Sequence, residues 1–149
     1  MKREQGFSLV ELLIVVAVLG VISALAIPGL QRAKRYAQSG SAIQSLRTIT
    51  TAETLYYRRF KTYGTLVDLA PEGTIDPNLA VGNKSGYFFT INLALDANDI
   101  AAGKLLTFKC NANPEADASI AEYFYVDETA VIRHNEGAPA DSTSDPIPK

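Results

Sequence analysis

A long apolar stretch near the start of the sequence limits what this chain can be. From Phe7 to Leu30 it reads FSLVELLIVVAVLGVISALAIPGL, and its polar side chains are Ser8, Glu11 and Ser23. A run of about 20 apolar residues is long enough to cross the hydrocarbon core of a bilayer as a helix. The stretch therefore predicts either a membrane helix or a secretory signal, because a soluble globular domain has no use for such a segment.

A cleaved secretory signal is one interpretation. Lys2 and Arg3 form a short basic start, the apolar run follows, and Ala24-Leu25-Ala26 offers a small-residue cleavage site. Cleavage there would release a secreted or periplasmic binding domain that starts at Ile27. Two features count against it: Glu11 lies inside the apolar region, and that region has about 18 residues where such signals have about 7 to 15.

A permanent membrane anchor with a binding domain outside the membrane is a second interpretation. The cytoplasmic end of a membrane helix carries the excess of basic residues. Here basic residues flank both ends, since Lys2 and Arg3 precede the run while Arg32, Lys34 and Arg35 follow it. The count leaves the orientation open, and we expect the three later residues to contact lipid headgroups.

A third interpretation rests on the junction at the start of the run. The stretch Gly6-Phe7-Ser8-Leu9-Val10-Glu11, followed at once by LLIVV, resembles the class III signal of type IV pilins and of type II secretion pseudopilins. In that family a membrane-embedded prepilin peptidase cuts after the glycine, and the new N-terminal phenylalanine is methylated. The resemblance implies cleavage between Gly6 and Phe7, with residues 1–6 as a leader peptide and residues 7–30 kept as a transmembrane or filament-core helix.

Glu11 is the residue of this motif that most needs a partner. An acidic side chain in a membrane helix costs about 3 kcal/mol at the bilayer centre, and leaving one member of a buried ion pair alone costs about 3 to 5 kcal/mol. The resemblance implies that cleavage frees the amine of Phe7 and that this amine pairs with Glu11 of the same or a neighbouring subunit in a filament core. The simpler alternative is a glutamate that reaches the headgroups from the helix end.

Gly20 and Pro28 weaken the apolar helix. Proline has no N–H to donate to the carbonyl of Ala24, and its ring crowds the same turn, so a kink is expected near Pro28. Filaments of the family have a locally unwound segment between such a glycine and proline. The resemblance therefore implies a flexible segment between Gly20 and Pro28.

The rest of the chain predicts a continuation of the helix. Residues 31–63 repeat apolar side chains at spacings of mostly three or four, which indicates an amphipathic helix that ends around Arg59 to Tyr63, with Gly64 as a stop signal. Its predicted apolar stripe comprises Ala33, Tyr36, Ala37, Ile43, Leu46, Ile49, Tyr56 and Phe60. Together with the apolar run, this makes one long helix.

Residues 64–136 predict a small antiparallel β domain. Apolar residues alternate in Tyr87–Leu93 and Leu105–Cys110, and residues 121–126 and 130–133 flank a turn in a predicted hairpin. Ala130 is expected to resist a positive φ in that turn. Residues 137–149 are rich in Pro, Ser and Asp and predict a flexible tail. The fold class is therefore α+β, and the resemblance implies the pilin fold, a long helix packed against the sheet.

Catalytic and metal-binding groups are sparse. His134 is the only histidine and fits an exposed strand end. Asp96, Asn98 and Asp99 form an oxygen-rich loop without the glycine and distal glutamate of an EF-hand, so we expect neither a metal nor a cofactor. Cys110 has no second cysteine to pair with and fits a small core residue. With a net charge of −2, nucleic acid is not an expected partner, and we expect no enzyme.

The expected function is that of a structural subunit of a type IV pilus-like filament. Its expected partners are further copies of itself, the membrane, the prepilin peptidase and the assembly machinery of a pilus or a type II secretion system. We expect a single-pass inner-membrane protein that moves into an extracellular pilus or into a periplasmic pseudopilus serving secretion. For a pilus, the sequence leaves motility, adhesion, DNA uptake and electron transfer open. Two subfamily features are missing: the second cysteine of a disulfide-closed loop and the tryptophan of a calcium loop.

Overall fold

A computed structural model of the chain describes residues 7–95, 105–115 and 121–148. Two sequence predictions lie outside the described residues: the leader peptide with Gly6, and the oxygen-rich loop of Asp96, Asn98 and Asp99. The chain divides into two compact units, Met1–Tyr36 and Ala37–Lys149.

The first unit consists of the early part of helix α1, which spans Leu9–Phe60 as a whole. The helix begins where the Ser8 carbonyl accepts the Leu12 N–H at 3.2 Å. It stays helical through both Gly20 and Pro28. Every residue from position 7 to 36 is exposed, so the apolar side chains of this unit have no packing partner within it.

The second unit combines the later part of α1 with short helices and a sheet. The short helices are α2, Leu66–Leu69, and α3, Pro77–Ala80, with a 3₁₀ turn at Ala70–Glu72 between them. The strands are β1 Asn83–Lys84, β2 Tyr87–Leu95, β3 Leu105–Pro114, β4 Glu122–Asp127, β5 Arg133–Glu136 and β6 Asp145–Pro146. Each strand pairs antiparallel with the next along the chain, in the order β1-β2-β3-β4-β5-β6. This arrangement confirms the predicted α+β fold class.

The core lies between one face of α1 and one face of the sheet. The helix contributes a stripe with the spacing of an amphipathic helix: Ala42, Leu46, Ile49 and Ala52. Alternate strand residues face it, namely Tyr87, Phe89, Phe108, Cys110, Ala112, Phe124 and Val126. Cys110 is fully buried, and burial raises the pKa of its thiol, which confirms its prediction as a core residue.

The buried stripe of α1 is shorter than its sequence pattern predicted. Tyr36 is 74% exposed and Phe60 is 44% exposed, so both predicted members at the two ends lie outside the core. The helix also stops without a glycine: Lys61 takes φ 58°, and its N–H donates to the Tyr57 carbonyl at 2.8 Å. The helix thus ends within the predicted range of Arg59 to Tyr63, but Lys61 and not Gly64 makes the left-handed turn that stops it.

The predicted hairpin is present, with a longer turn. β4 pairs with β5 so that Tyr125 lies opposite Arg133, which moves the second strand from residues 130–133 to 133–136. Ala130 has φ 60° and donates its N–H to the Asp127 carbonyl at 3.0 Å. The expectation that Ala130 would resist a positive φ is wrong, because the carboxylate of Asp127 also binds the Thr129 N–H at 3.0 Å and holds the turn.

Residues 137–148, which we term the strap, cover the second face of the sheet. Ala140 is 2% exposed and packs against Tyr123 and Tyr125. Its carbonyl accepts a hydrogen bond from the Asn111 side chain at 3.0 Å. A small residue thus closes over two tyrosines that would otherwise meet water.

The far part of the strap joins the sheet. Its strand β6 pairs with β5, and the Ile147 N–H donates to the Ile132 carbonyl at 3.0 Å. The guanidinium of Arg133 donates to the Ser144 carbonyl at 2.9 Å. The prediction of a flexible tail is therefore wrong for residues 137–148, since backbone pairing and packing hold them in place.

Candidate assembly site

The exposed apolar surface of the first unit is the most prominent candidate site. Among the described residues, α1 is the one helix long and apolar enough to cross a membrane, and no residue of its most apolar segment is buried. Burying a large aliphatic side chain contributes about 1.5 to 3 kcal/mol. A helix that exposes such side chains on all sides can therefore gain much free energy from lipid or from other helices.

Phe7 and Glu11 lie at the start of this helix. Phe7 precedes the first turn and is 71% exposed. Glu11 lies in the first turn, where a negative charge interacts favourably with the helix dipole. Its carboxylate is exposed and has no hydrogen bond or ion pair within the described part of the chain. The structure thus places both residues at the accessible end of the helix.

Gly20 and Pro28 lie inside the uninterrupted helix. A Cβ atom added at Gly20 would meet nothing within 4 Å, so packing within the chain does not require a glycine there. Pro28 leaves the Ala24 carbonyl without its helical hydrogen bond. Both positions weaken the helix, and their flexibility stays a prediction.

A buried glutamate in the second unit was missed by the sequence analysis. Glu53 is 0% exposed, and its Oε2 accepts the Gly64 N–H at 3.0 Å. Its Oε1 has no hydrogen-bond partner in the described part of the chain. Burial raises the pKa of Glu53 to about 7, with the Gly64 N–H opposing the shift and the charge of Asp68 adding to it. One sequence signal was available, since Glu53 continues the three-and-four spacing of Leu46 and Ile49.

The chain leaving α1 is closely packed around this glutamate. A Cβ atom on Gly64 would lie 3.2 Å from a ring carbon of Tyr56, so the glycine lets the backbone approach the helix. Thr65 and Asp68 then form a capping box that starts α2, and hydrogen bonds from Thr65 lower the pKa of Asp68. Tyr63 stacks with Tyr57 at 4.8 Å between ring centroids. These contacts hold in place the segment that connects the end of α1 to the β domain.

The described residues contain no group of three or more His, Cys, Asp and Glu side chains placed to hold a metal. His134 lies in β5 opposite Phe124 and is partly exposed. A shallow depression of about 200 Å³ lies beside α1, lined by Arg47, Thr50, Thr51, Ala130 and Ile132. The absence of enzymatic activity stays a prediction.

Comparisons with known proteins bear on the first unit. Residues 1–27 match the family described as the prokaryotic N-terminal methylation motif. The chain is 31% identical over 88 residues to the type IV major pilin protein PilA of Myxococcus xanthus, covering 57% of this chain and 36% of that protein. It is 29% identical over 89 residues to the type II secretion system core protein G of Escherichia coli, covering 57% and 61%.

A third relative matches over a larger share of both chains. The fimbrial protein EcpB of Eikenella corrodens is 25% identical over 146 residues, covering 92% of this chain and 84% of that protein. The chain spans less than two thirds of the length of the first two relatives, at 36% and 61%. No solved structure matches this chain.

Proposed function

We propose that this chain, which belongs to the type IV pilin and pseudopilin family, is a structural subunit that polymerises into a pilus-like filament through its first helix. Membership rests on the methylation motif over residues 1–27 and on the similarity to a type IV pilin and to core protein G. The observation that carries the proposal is the exposed apolar surface of residues 7–30. That surface suits storage in the inner membrane and later burial among copies of the helix.

Processing is the first step of the proposal. A prepilin peptidase cuts between Gly6 and Phe7, and the amine of Phe7 is methylated. The cut leaves a positive charge at Phe7, four residues before Glu11 in the sequence. Both residues lie at the accessible start of the helix, so they are available to a neighbouring subunit.

Pairing of the Phe7 amine with Glu11 then selects the register of assembly. An unpaired charge in an apolar filament core costs about 3 to 5 kcal/mol, whereas correct stacking of copies satisfies both groups. Release of helical structure between Gly20 and Pro28 gives the subunit axial freedom as it packs. The pilus or secretion machinery supplies the force for extraction from the membrane.

The test compares the wild-type chain with Glu11→Ala, and with Ser8→Ala as the control from the same turn. We expect all three proteins to mature to a mass that starts at N-methylated Phe7, and the Glu11→Ala variant alone to lose at least tenfold in sheared filament yield, in line with a lost charge pair. Normal filament yield from Glu11→Ala would contradict the pairing. A mature chain that starts at Ile27 would show that most of the apolar segment had been cut off, and it would overturn the whole proposal.

A pseudopilus of a type II secretion system is the second candidate, favoured by the similarity to core protein G. The two candidates differ in location. Filaments sheared from the cell surface support a pilus, while subunits that stay in the periplasm and are needed for protein export support a pseudopilus.

A further inference from the structure

Charge is divided unevenly along the second unit. Between residues 37 and 67 the basic residues are Arg47, Arg58, Arg59 and Lys61, and the single acidic residue, Glu53, is buried. From Asp68 to Lys149, thirteen acidic residues stand against five basic ones. The surface of the helix in this unit is therefore basic, and the remainder is acidic.

Two basic residues of α1, Arg47 and Arg58, lie away from its buried stripe, with Arg47 at the depression that Ala130 and Ile132 also line. Arg47 and Arg58 are eleven positions apart, about three helical turns, so they lie on the same side of the helix. Both are exposed, and neither they nor Lys61 form an ion pair with any residue that the structure describes. We term this surface the basic face. Leu55, which is 48% exposed, gives it an apolar centre.

The hydroxyls beside the basic face are already occupied. Thr48, Thr51 and Thr54 each donate to the carbonyl four residues earlier, at 3.0, 2.9 and 2.8 Å. Hydroxyls used in this way do not compete for a partner's carboxylates. Within the described part of the chain the two arginines are thus left without an ion pair, and arginine binds carboxylates in a bidentate geometry.

Acidic residues gather at one end of the sheet. Glu122 lies directly opposite Glu136 in the pairing of β4 with β5, and Glu115 follows the end of β3, next to the start of β4. No ion pair to these three residues is found among the described residues. We term them the acidic end. Like charges placed opposite each other in a sheet destabilise it by about 0.2 to 1 kcal/mol, and cations from outside relieve that repulsion.

We propose that the basic face of one copy docks against the acidic end of a second copy of this chain. The inference rests on the proposed function, because a filament brings copies together in repeated contacts. Charge complementarity identifies the occupant: this chain itself supplies an acidic surface and a basic one, and neither has an ion pair among the residues that the structure describes. Two different surfaces of the same chain make a heterologous contact, and such contacts repeat into open helical assemblies when they do not close into a ring.

The test is a reciprocal charge reversal in the full chain. Arg47→Glu with Arg58→Glu is expected to lower sheared filament yield about tenfold through like-charge repulsion, and so is Glu122→Lys with Glu136→Lys. Combining all four changes is expected to restore most of the yield. Asp145→Lys, an exposed reversal on β6 outside both surfaces, is the control and should leave the yield unchanged.

Salt gives an independent readout. The screening length falls from about 10 Å at 0.1 M to about 3 Å at 1 M salt, so wild-type filaments should dissociate faster at 1 M. The two charge-reversed variants should show the opposite dependence, because salt screens the repulsion that they introduce. If the wild type forms filaments and both charge-reversed variants assemble normally with the wild-type salt response, the docking alone is overturned. A correctly processed wild-type chain that forms no filaments would overturn the proposed function, and the docking with it.

Discussion

The two parts of helix α1 place the same residue types in opposite surroundings. Leu19 in the first unit is 57% exposed, whereas Leu46 in the second is 0% exposed. Around Leu19 apolar residues occur on every side of the helix, while around Leu46 they are restricted to one stripe. A helix that is apolar all round needs partners from a membrane or an assembly, and an amphipathic helix finds them in its own domain.

Each part of the helix also has one acidic residue that does not match its surroundings. Glu11 is a charge on an apolar helix, exposed and without a partner in the described part of the chain. Glu53 is buried in the part whose other charged residues are exposed. Glu53 obtains the N–H of Gly64 from its own chain. We infer that Glu11 has to obtain its partner from outside or from the processed N-terminus.

The largest expected effect comes from shortening the same type of side chain in both parts of the helix. Leu46→Ala is expected to lower the free energy of unfolding of the β domain by about 2 to 5 kcal/mol, since it leaves a cavity in a packed core. Leu19→Ala should leave that unfolding unchanged and reduce filament yield instead. Denaturant unfolding of the full chain in detergent, followed by near-UV circular dichroism of the tyrosines, measures the difference. Equal losses of stability would show that the two parts do not differ in this way.

The pH dependence of stability tests the buried glutamate. The pKa of Glu53 rises from 4.5 to about 7 on folding, so the folded state binds its proton more tightly than the unfolded state. The stabilisation that this group contributes is fully present below pH 4.5 and is lost as pH rises to about 7. At 1.36 kcal/mol per pKa unit, the loss is about 3 kcal/mol.

Glu53→Gln isolates this effect. The amide keeps an oxygen for the Gly64 N–H and cannot ionise, so the variant should lose the decline between pH 4.5 and 7. Asp68 and Asp76 have lowered pKa values, from Thr65 and Lys84 respectively. They act in the opposite direction and at lower pH, since their stabilisation is lost as pH falls. An unchanged slope in the variant would show that Glu53 is not the group responsible.

Much of the fold followed from local patterns. The sequence predicted the amphipathic helix, the strands β2 and β3 and the hairpin. Apolar residues repeat every three to four positions in a helix and every two in a strand, and such repeats can be recognised from neighbouring residues alone. Gly6, Phe7 and Glu11 were predicted from a motif and not from geometry, so their roles stay predictions. Residues 7–30 were predicted as an apolar segment for a membrane or a filament core, and in the structure all of them are exposed.

Two of the misses depend on residues distant in sequence. Glu53 reads as a surface residue until Gly64, eleven positions on, supplies its hydrogen bond. Ala140 reads as part of a polar tail until Tyr123 and Tyr125 cover it. The left-handed turn at Lys61 has no glycine to indicate it. Apart from the spacing that places Glu53 in line with Leu46 and Ile49, the local sequence does not indicate these features.

The smallest expected effect concerns the strap, which extends the comparison to the surface of the sheet. Asn111→Ala removes the hydrogen bond to the Ala140 carbonyl and is expected to weaken the strap by about 0.5 to 1.5 kcal/mol. Faster hydrogen exchange at the Ile147 amide, which donates to Ile132, would report it. Asn92→Ala on β2 makes the same chemical change at an exposed position away from the strap and should leave the exchange rate unchanged. If both variants behave alike, the strap does not depend on this bond, and packing of Ala140 between the tyrosines holds it instead.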